Sequence, residues 1–118
     1  MSTIEQAITD YLVAWNATDL AQRHSILERV LADNCIYADS HLPDTVNTRE
    51  QHSEFISRFK DKFPQLQMSL SGSADIHHQF FRFNWQLLQP DGSVFSQGVF
   101  FGEIDKCDRI TKLIGFVN

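Results

Sequence analysis

The sequence predicts an α+β domain in which three helices pack into the concave face of a curved sheet, in the order ααβαββββ. Three observations lead there. Apolar residues recur at helical spacing through the first half, and from about residue 65 they alternate with a period of two. Strong turn signals, led by Pro90-Asp91-Gly92, then divide the second half into a meander. Helices gathered at the start and strands at the end segregate to opposite layers, because each buries its apolar side against the other.

Residues 2–17 read as an amphipathic helix, with Ile4, Ile8, Tyr11, Leu12 and Trp15 on one face. Ser2 and Glu5 have the spacing of a capping box at its start. Asp19 is a good N-cap for a second helix running to about Ala32, and residues 34–39 (NCIYAD) read as a short strand. A third helix begins at Thr48, with Gln51 as capping partner. It buries Phe55, Ile56, Phe59 and Phe63, and Pro64 stops it. Residues 65–73, 77–89, 94–104 and 109–117 supply four more strands.

The 118 residues fit one domain spanning 1–118. Such a chain buries roughly two-thirds of its unfolded surface, enough for a core without staples. Ten Phe and two Trp make that core aromatic and suited to lining a small-molecule pocket. A net charge of −5 argues against nucleic acid, whose binding needs many neutralised phosphates. The local basic cluster of Arg49, Arg58, Lys60 and Lys62 is offset by Glu50, Glu54 and Asp61 and reads as a solvated helix face. Cys35 and Cys107 have no metal-type spacing. With no signal peptide and no run of 18 apolar residues, the expected setting is cytoplasmic, with no membrane partner.

Strand parity sorts the pocket from the outside. If Asp39 points inward, so do Tyr37 and Cys35, while Ile36 and Ala38 point outward. Phe81, Phe83, Trp85 and Leu87 share the face expected to meet the helices, and Arg82, Asn84 and Gln86 share the other. By the same count Phe95, Val99 and Phe101 form an apolar outer stripe, which calls for a partner surface. Among the histidines, His52 reads as a boundary residue of the third helix, and His41 forms an Asp-x-His pair with Asp39 at the pocket mouth. His77 and His78 begin the aromatic strand, where adjacent residues face opposite ways and do not share one ion. Neither metal nor cofactor is expected.

The stretches Ala14-Trp15-Asn16-Ala17-Thr18-Asp19, Leu31-Ala32-Asp33-Asn34, Tyr37-Ala38-Asp39, Phe55, Phe59 and Phe63-Pro64, Phe81-Arg82-Phe83-Asn84-Trp85 and Gly115-Phe116 together resemble the nuclear-transport-factor-2-like superfamily. More narrowly, they resemble its SnoaL-like polyketide cyclases and ketosteroid-isomerase-like proteins. The resemblance implies a cone-shaped, cystatin-like curved sheet, antiparallel or mixed, wrapped around three helices. It implies homodimerisation through the outer sheet face. It also implies that Asp39, at the end of the first strand, is the carboxylate that shuttles a proton. Tyr11 would donate a hydrogen bond to the developing oxyanion. The family's second donor, an acid, falls at Phe100, which cannot donate.

The residues expected around a small apolar carbonyl compound are Trp15, Tyr37, His41, Phe83, Trp85 and Phe100. Two functions stand side by side. One is isomerisation, cyclisation or dehydration with Asp39 as general base. The other is a non-catalytic ligand-binding or dimerisation module whose aromatics fill the cavity. A third role, recognition of another protein through the outer face, rests on Phe95 and Phe101. Asp39 also has a purely local reading, as an Asp capping the turn that follows it.

Overall fold

Thr3, with extended backbone, accepts from the Gln6 N–H and starts α1 (Ile4–Asn16) in the computed structural model, which describes residues 3–118. The Ser2 capping pair lies outside those residues. Asp19 caps α2 (Leu20–Val30) through the Ala21 N–H, as its side chain and position dictate. α2 stops two residues sooner than its apolar run suggests. Leu31 turns extended, pairs with Ile110 and opens β1 (Leu31–Ala38), three residues ahead of the expected strand. Tertiary pairing overrides local helical preference there: Leu31 is fully buried, and its carbonyl accepts from the Arg49 guanidinium.

Thr48 caps α3 (Arg49–Lys62) through the Gln51 N–H, and the Gln51 side chain returns to the Asn47 N–H. Phe63 closes the last turn before Pro64. β2 (Gln67–His77), β3 (Phe80–Leu88), β4 (Val94–Ile104) and β5 (Ile110–Val117) follow. β2 therefore runs through residues 74–77, and the hairpin turns at His78 and Gln79, with His78 left-handed at φ 56°. His77 ends one strand rather than beginning the next. Its ring nitrogen meets that of His78 at 2.9 Å on the surface.

The five strands form one mixed sheet in the order β1-β5-β4-β3-β2, with β1 parallel to β5 and the other pairs antiparallel. Three inner-face glycines lie opposite large aromatics: Gly98 opposite Trp85, Gly102 opposite Phe81 and Gly115 opposite Phe100. Each ring lies over its glycine where a β-carbon would stand, so bulk and absence alternate across the face. A register shift at Gly72, whose φ is 76°, bends β2. The Asn16 amide pairs with both backbone groups of Met68, at 2.8 and 2.9 Å, and ties the end of α1 to β2.

The parity of β1 and β3 is as the alternation requires: Cys35, Tyr37, Phe81, Phe83, Trp85 and Leu87 are buried, and Ile36 faces out. Phe95 departs from it. The β3–β4 pairing jumps from Ser96 to Val94, leaving Phe95 as a bulge residue whose ring packs 5.5 Å from Phe63 at the end of α3. The outer stripe is instead completed by Phe116, set edge-to-face against Phe101 at 5.9 Å. Lys60 also departs from the expected solvated face. It is buried, and its ammonium donates to the Leu66 carbonyl at 3.0 Å, tying α3 to the start of the sheet. No described helix is long and apolar enough to cross a membrane.

Candidate functional site

The helices and the inner sheet face enclose an aromatic interior in which a few polar atoms stand in two pairs. Tyr37, inward on β1, donates its hydroxyl proton to Asp39 Oδ2 at 2.6 Å. Asp39 Oδ1 accepts from the His41 backbone N–H at 2.8 Å. The turn-capping and the inward reading of Asp39 thus describe the same side chain, one oxygen each. Deeper, the Tyr11 hydroxyl on α1 meets His52 Nε2 on α3 at 2.7 Å. The Tyr37 and His52 rings, 4.7 Å apart, join the two pairs into one seam.

Aromatic rings wall the seam. Phe100 stands 6.2 Å from Tyr11, 6.1 Å from Tyr37 and 5.3 Å from Phe83. Trp85 flanks Phe100, and Trp15 packs edge-on to Phe55 and Phe59. Gly115 makes the arrangement possible. A β-carbon there would meet the Phe100 ring at 2.7 Å and approach the Asp39 β-carbon at 3.4 Å. Tyr11, Tyr37, Phe83 and Phe100 are at most 2 % exposed, so rings occupy the space behind the half-buried Asp39.

Burial sets the protonation of this interior. Desolvation raises the Tyr11 phenol well above its usual value; the Trp15 indole opposes the rise, while Cys35 and Asp39 add to it. Tyr37 is likewise raised well above its usual value, first by burial and then by Tyr11 and Asp39. Burial lifts the Cys35 thiol to about 12 and drops the His52 imidazole to about 3. Near neutral pH the phenols, thiol and imidazole are all uncharged. They can accept or donate hydrogen bonds but bring no countercharge.

The expected residues thus fall into two sets. Tyr11, Trp15, Tyr37, Phe83, Trp85, Phe100 and Asp39 converge on the interior. The side chain of His41 is exposed in the turn, and only its backbone reaches Asp39. His52 is the residue that the boundary reading misplaces. At 1 % exposure it is the polar centre of α3 rather than its boundary. Its place on the stripe with Phe55, Ile56 and Phe59 is the signal that points inward. Among the described residues no cluster of three or more His, Cys, Asp or Glu is arranged to hold a metal ion.

Two open concavities lie elsewhere. A groove of about 390 Å³ between α2, β1 and α3 is lined by His24, Glu28, Asp33 and Arg49. Its arginine is already committed to Asp33 and to the Leu31 carbonyl. A second, of about 330 Å³, lies along the outer sheet face by Asp75, Arg82, Val99 and Phe101. Neither includes the Tyr11–Asp39 seam, which holds the desolvated polar groups and so remains the better candidate for chemistry.

No protein-family model matches the chain, and no curated protein sequence does. Solved structures match it along its whole length. A candidate isomerase of the SnoaL-like family from Agrobacterium tumefaciens is 28 % identical over 99 % of both chains, with a TM-score of 0.89. A candidate SnoaL-like polyketide cyclase from a Jannaschia species is 13 % identical over all of this chain and 90 % of the other, with a TM-score of 0.73. A protein of ketosteroid-isomerase-like fold from Catenulispora acidiphila, solved with trimethylamine, is 15 % identical over 96 % of this chain and 85 % of the other, with a TM-score of 0.70. Together with the element order and the mixed curved sheet, these matches give the chain the nuclear-transport-factor-2-like fold, similar along its length to solved structures of SnoaL-like and ketosteroid-isomerase-like proteins.

Proposed function

We propose that this domain binds a small, largely apolar carbonyl compound between helices and sheet, and that Asp39 exchanges a proton with it. The observation that carries the reading is the seam itself. Tyr37–Asp39 and Tyr11–His52 place two hydroxyls, an imidazole and a carboxylate inside an aromatic core that apolar residues of equal volume would fill at less cost. Asp39 takes a proton from the carbon beside the carbonyl and returns it elsewhere, while Tyr11 holds the oxygen as its charge develops. Isomerisation, cyclisation and dehydration all pass through that enol-like state. Hydrophobic carbonyl compounds are expected to raise the melting temperature of wild type and to do so differently in Asp39→Asn. Turnover should vanish in the variant while its fold survives. Undiminished turnover in Asp39→Asn removes the carboxylate from the mechanism.

A non-catalytic module is the second reading, favoured by Phe100. Its ring sits beside both phenols, where a second donor would be expected, and closes the interior. No stabilisation by any carbonyl compound in the same screen would favour that reading.

The outer face supports self-association as part of the same proposal. Phe101 and Phe116 are 42 % and 52 % exposed and touch each other, beside Val99 and Ile114 of the same face. Phe101→Lys is expected to convert a dimer into a monomer in sedimentation, whereas a wild type that is monomeric at high concentration excludes the dimer.

A further inference from the structure

Neighbouring side chains on an extended strand point to opposite faces, so two consecutive histidines do not ordinarily meet. The hairpin between β2 and β3 breaks that rule. His77 ends β2 in register with Phe80, and His78 takes left-handed backbone at φ 56°. The turn brings the second imidazole round to the first. Their Nδ1 atoms stand 2.9 Å apart, with the rings nearly perpendicular at 89°. Both residues are exposed, so no packing against the core accounts for the encounter. The turn does not account for it either. Glycine adopts a left-handed conformation without strain and asparagine readily, so the backbone alone has no need of an imidazole there.

In the free pair, the Nδ1–H of one ring donates to the Nδ1 lone pair of the other. Moving that proton through water to Nε2 of its own ring frees both Nδ1 lone pairs with no net change in charge. A turn of the two exposed rings then points both lone pairs at one place, at the cost of a surface hydrogen bond. Imidazole–metal bonds of about 2.0–2.1 Å built on nitrogens 2.9 Å apart meet at the metal at about 90°. That is the angle between adjacent corners of a square, the geometry of divalent copper and nickel rather than tetrahedral zinc.

We propose that His77 and His78 chelate a divalent copper ion through their Nδ1 atoms at the tip of the β2–β3 hairpin. Asp75, two positions back on the same side of β2, is held by Arg82 at 2.9 Å. Among the described residues no third His, Cys, Asp or Glu is arranged to join the pair, so water fills the remaining corners and the ion exchanges readily. The site is separate from the Tyr11–Asp39 seam and does not depend on the reaction proposed there.

The test adds copper(II), nickel(II) or zinc(II) sulfate to the full chain at pH 7.5. One copper ion per chain is expected, with an axial paramagnetic-resonance spectrum coupled to two nitrogens. Copper should bind at least about tenfold more tightly than zinc. His78→Asn keeps a residue that tolerates the left-handed turn, and His77→Gln keeps a polar strand residue. Each should weaken copper binding by about 100-fold, because the second bond of a chelate forms within one molecule. His24→Gln, at an exposed histidine of α2, should leave it unchanged. Excess copper should raise the urea midpoint of wild type but not that of His78→Asn, since the folded hairpin is what holds the two rings together.

Copper bound as tightly by both His77→Gln and His78→Asn as by wild type means an adventitious ion only and overturns the site. A spectrum with a single nitrogen coupling overturns the chelate. Zinc bound as tightly as copper overturns the square geometry and with it the choice of metal. A wild-type urea midpoint that copper leaves unmoved overturns the part given to the folded turn.

Discussion

Lowering the pH from 7.5 to 4.5 should destabilise the protein through one buried imidazole. His52 is 1 % exposed and packed against Tyr11, Tyr37 and Phe55, with Asp39 beyond Tyr37. Burial depresses its folded pKa from 6.5 to about 3. Between those values the unfolded chain holds a proton that the folded chain refuses. Stability is therefore fully present above pH 6.5 and falls with pH, by about 1.4 kcal/mol per unit, until the folded group titrates. Over the interval from 7.5 to 4.5 the His52 contribution comes to about 2.5 kcal/mol. The assay is urea denaturation of wild type and His52→Phe at both pH values. The variant loses a pH-independent amount, about 1–3 kcal/mol, because Tyr11 is left unpaired. It should also lose the His52 part of the acid sensitivity, so by pH 4.5 the difference shifts by about 2.5 kcal/mol in the variant's favour and the gap closes or reverses. Carboxylates that titrate in the same range are common to both proteins and cancel. A gap that stays constant across the three pH units refutes the argument and puts a charged or hydrated imidazole at the centre of the core.

Two further predictions follow from packing. Arg23, 2 % exposed, donates to the Ala14, Ala17 and Ser53 carbonyls and to the Ser57 hydroxyl, tying the end of α1 to α3. Arg23→Met strands those acceptors and should cost about 2–4 kcal/mol in urea denaturation, far more than a surface arginine would. Gly115→Ala drives a β-carbon into Phe100 and towards Asp39, so it should cost about 1–3 kcal/mol and alter the near-ultraviolet dichroism of the aromatic cluster. Unchanged stability in either variant would contradict the contacts assigned to that residue.

The features legible in the sequence are those encoded within a few residues. Asp19 and Thr48 cap helices because their side chains reach N–H groups two or three positions on. The inward set on β3 is readable because side chains alternate at every residue. Asp39 shares the face of Tyr37 for the same reason, and its hydrogen bond to that hydroxyl spans only two positions.

Other features waited on contacts made across the chain. The stripe with Phe55, Ile56 and Phe59 turns His52 inward but does not name its partner; His52 is the polar centre because Tyr11, 41 positions earlier, arrives at its Nε2. Lys60 is buried because the chain turns back and offers the Leu66 carbonyl. Phe95 leaves the outer face because β4 bulges against β3, and Phe116 takes its place beside Phe101. Alternation and capping are decided by covalent geometry and nearest neighbours, and so belong to the sequence by itself. Burial and the partner of a polar atom depend on which distant segments close around it, and only the folded chain decides them.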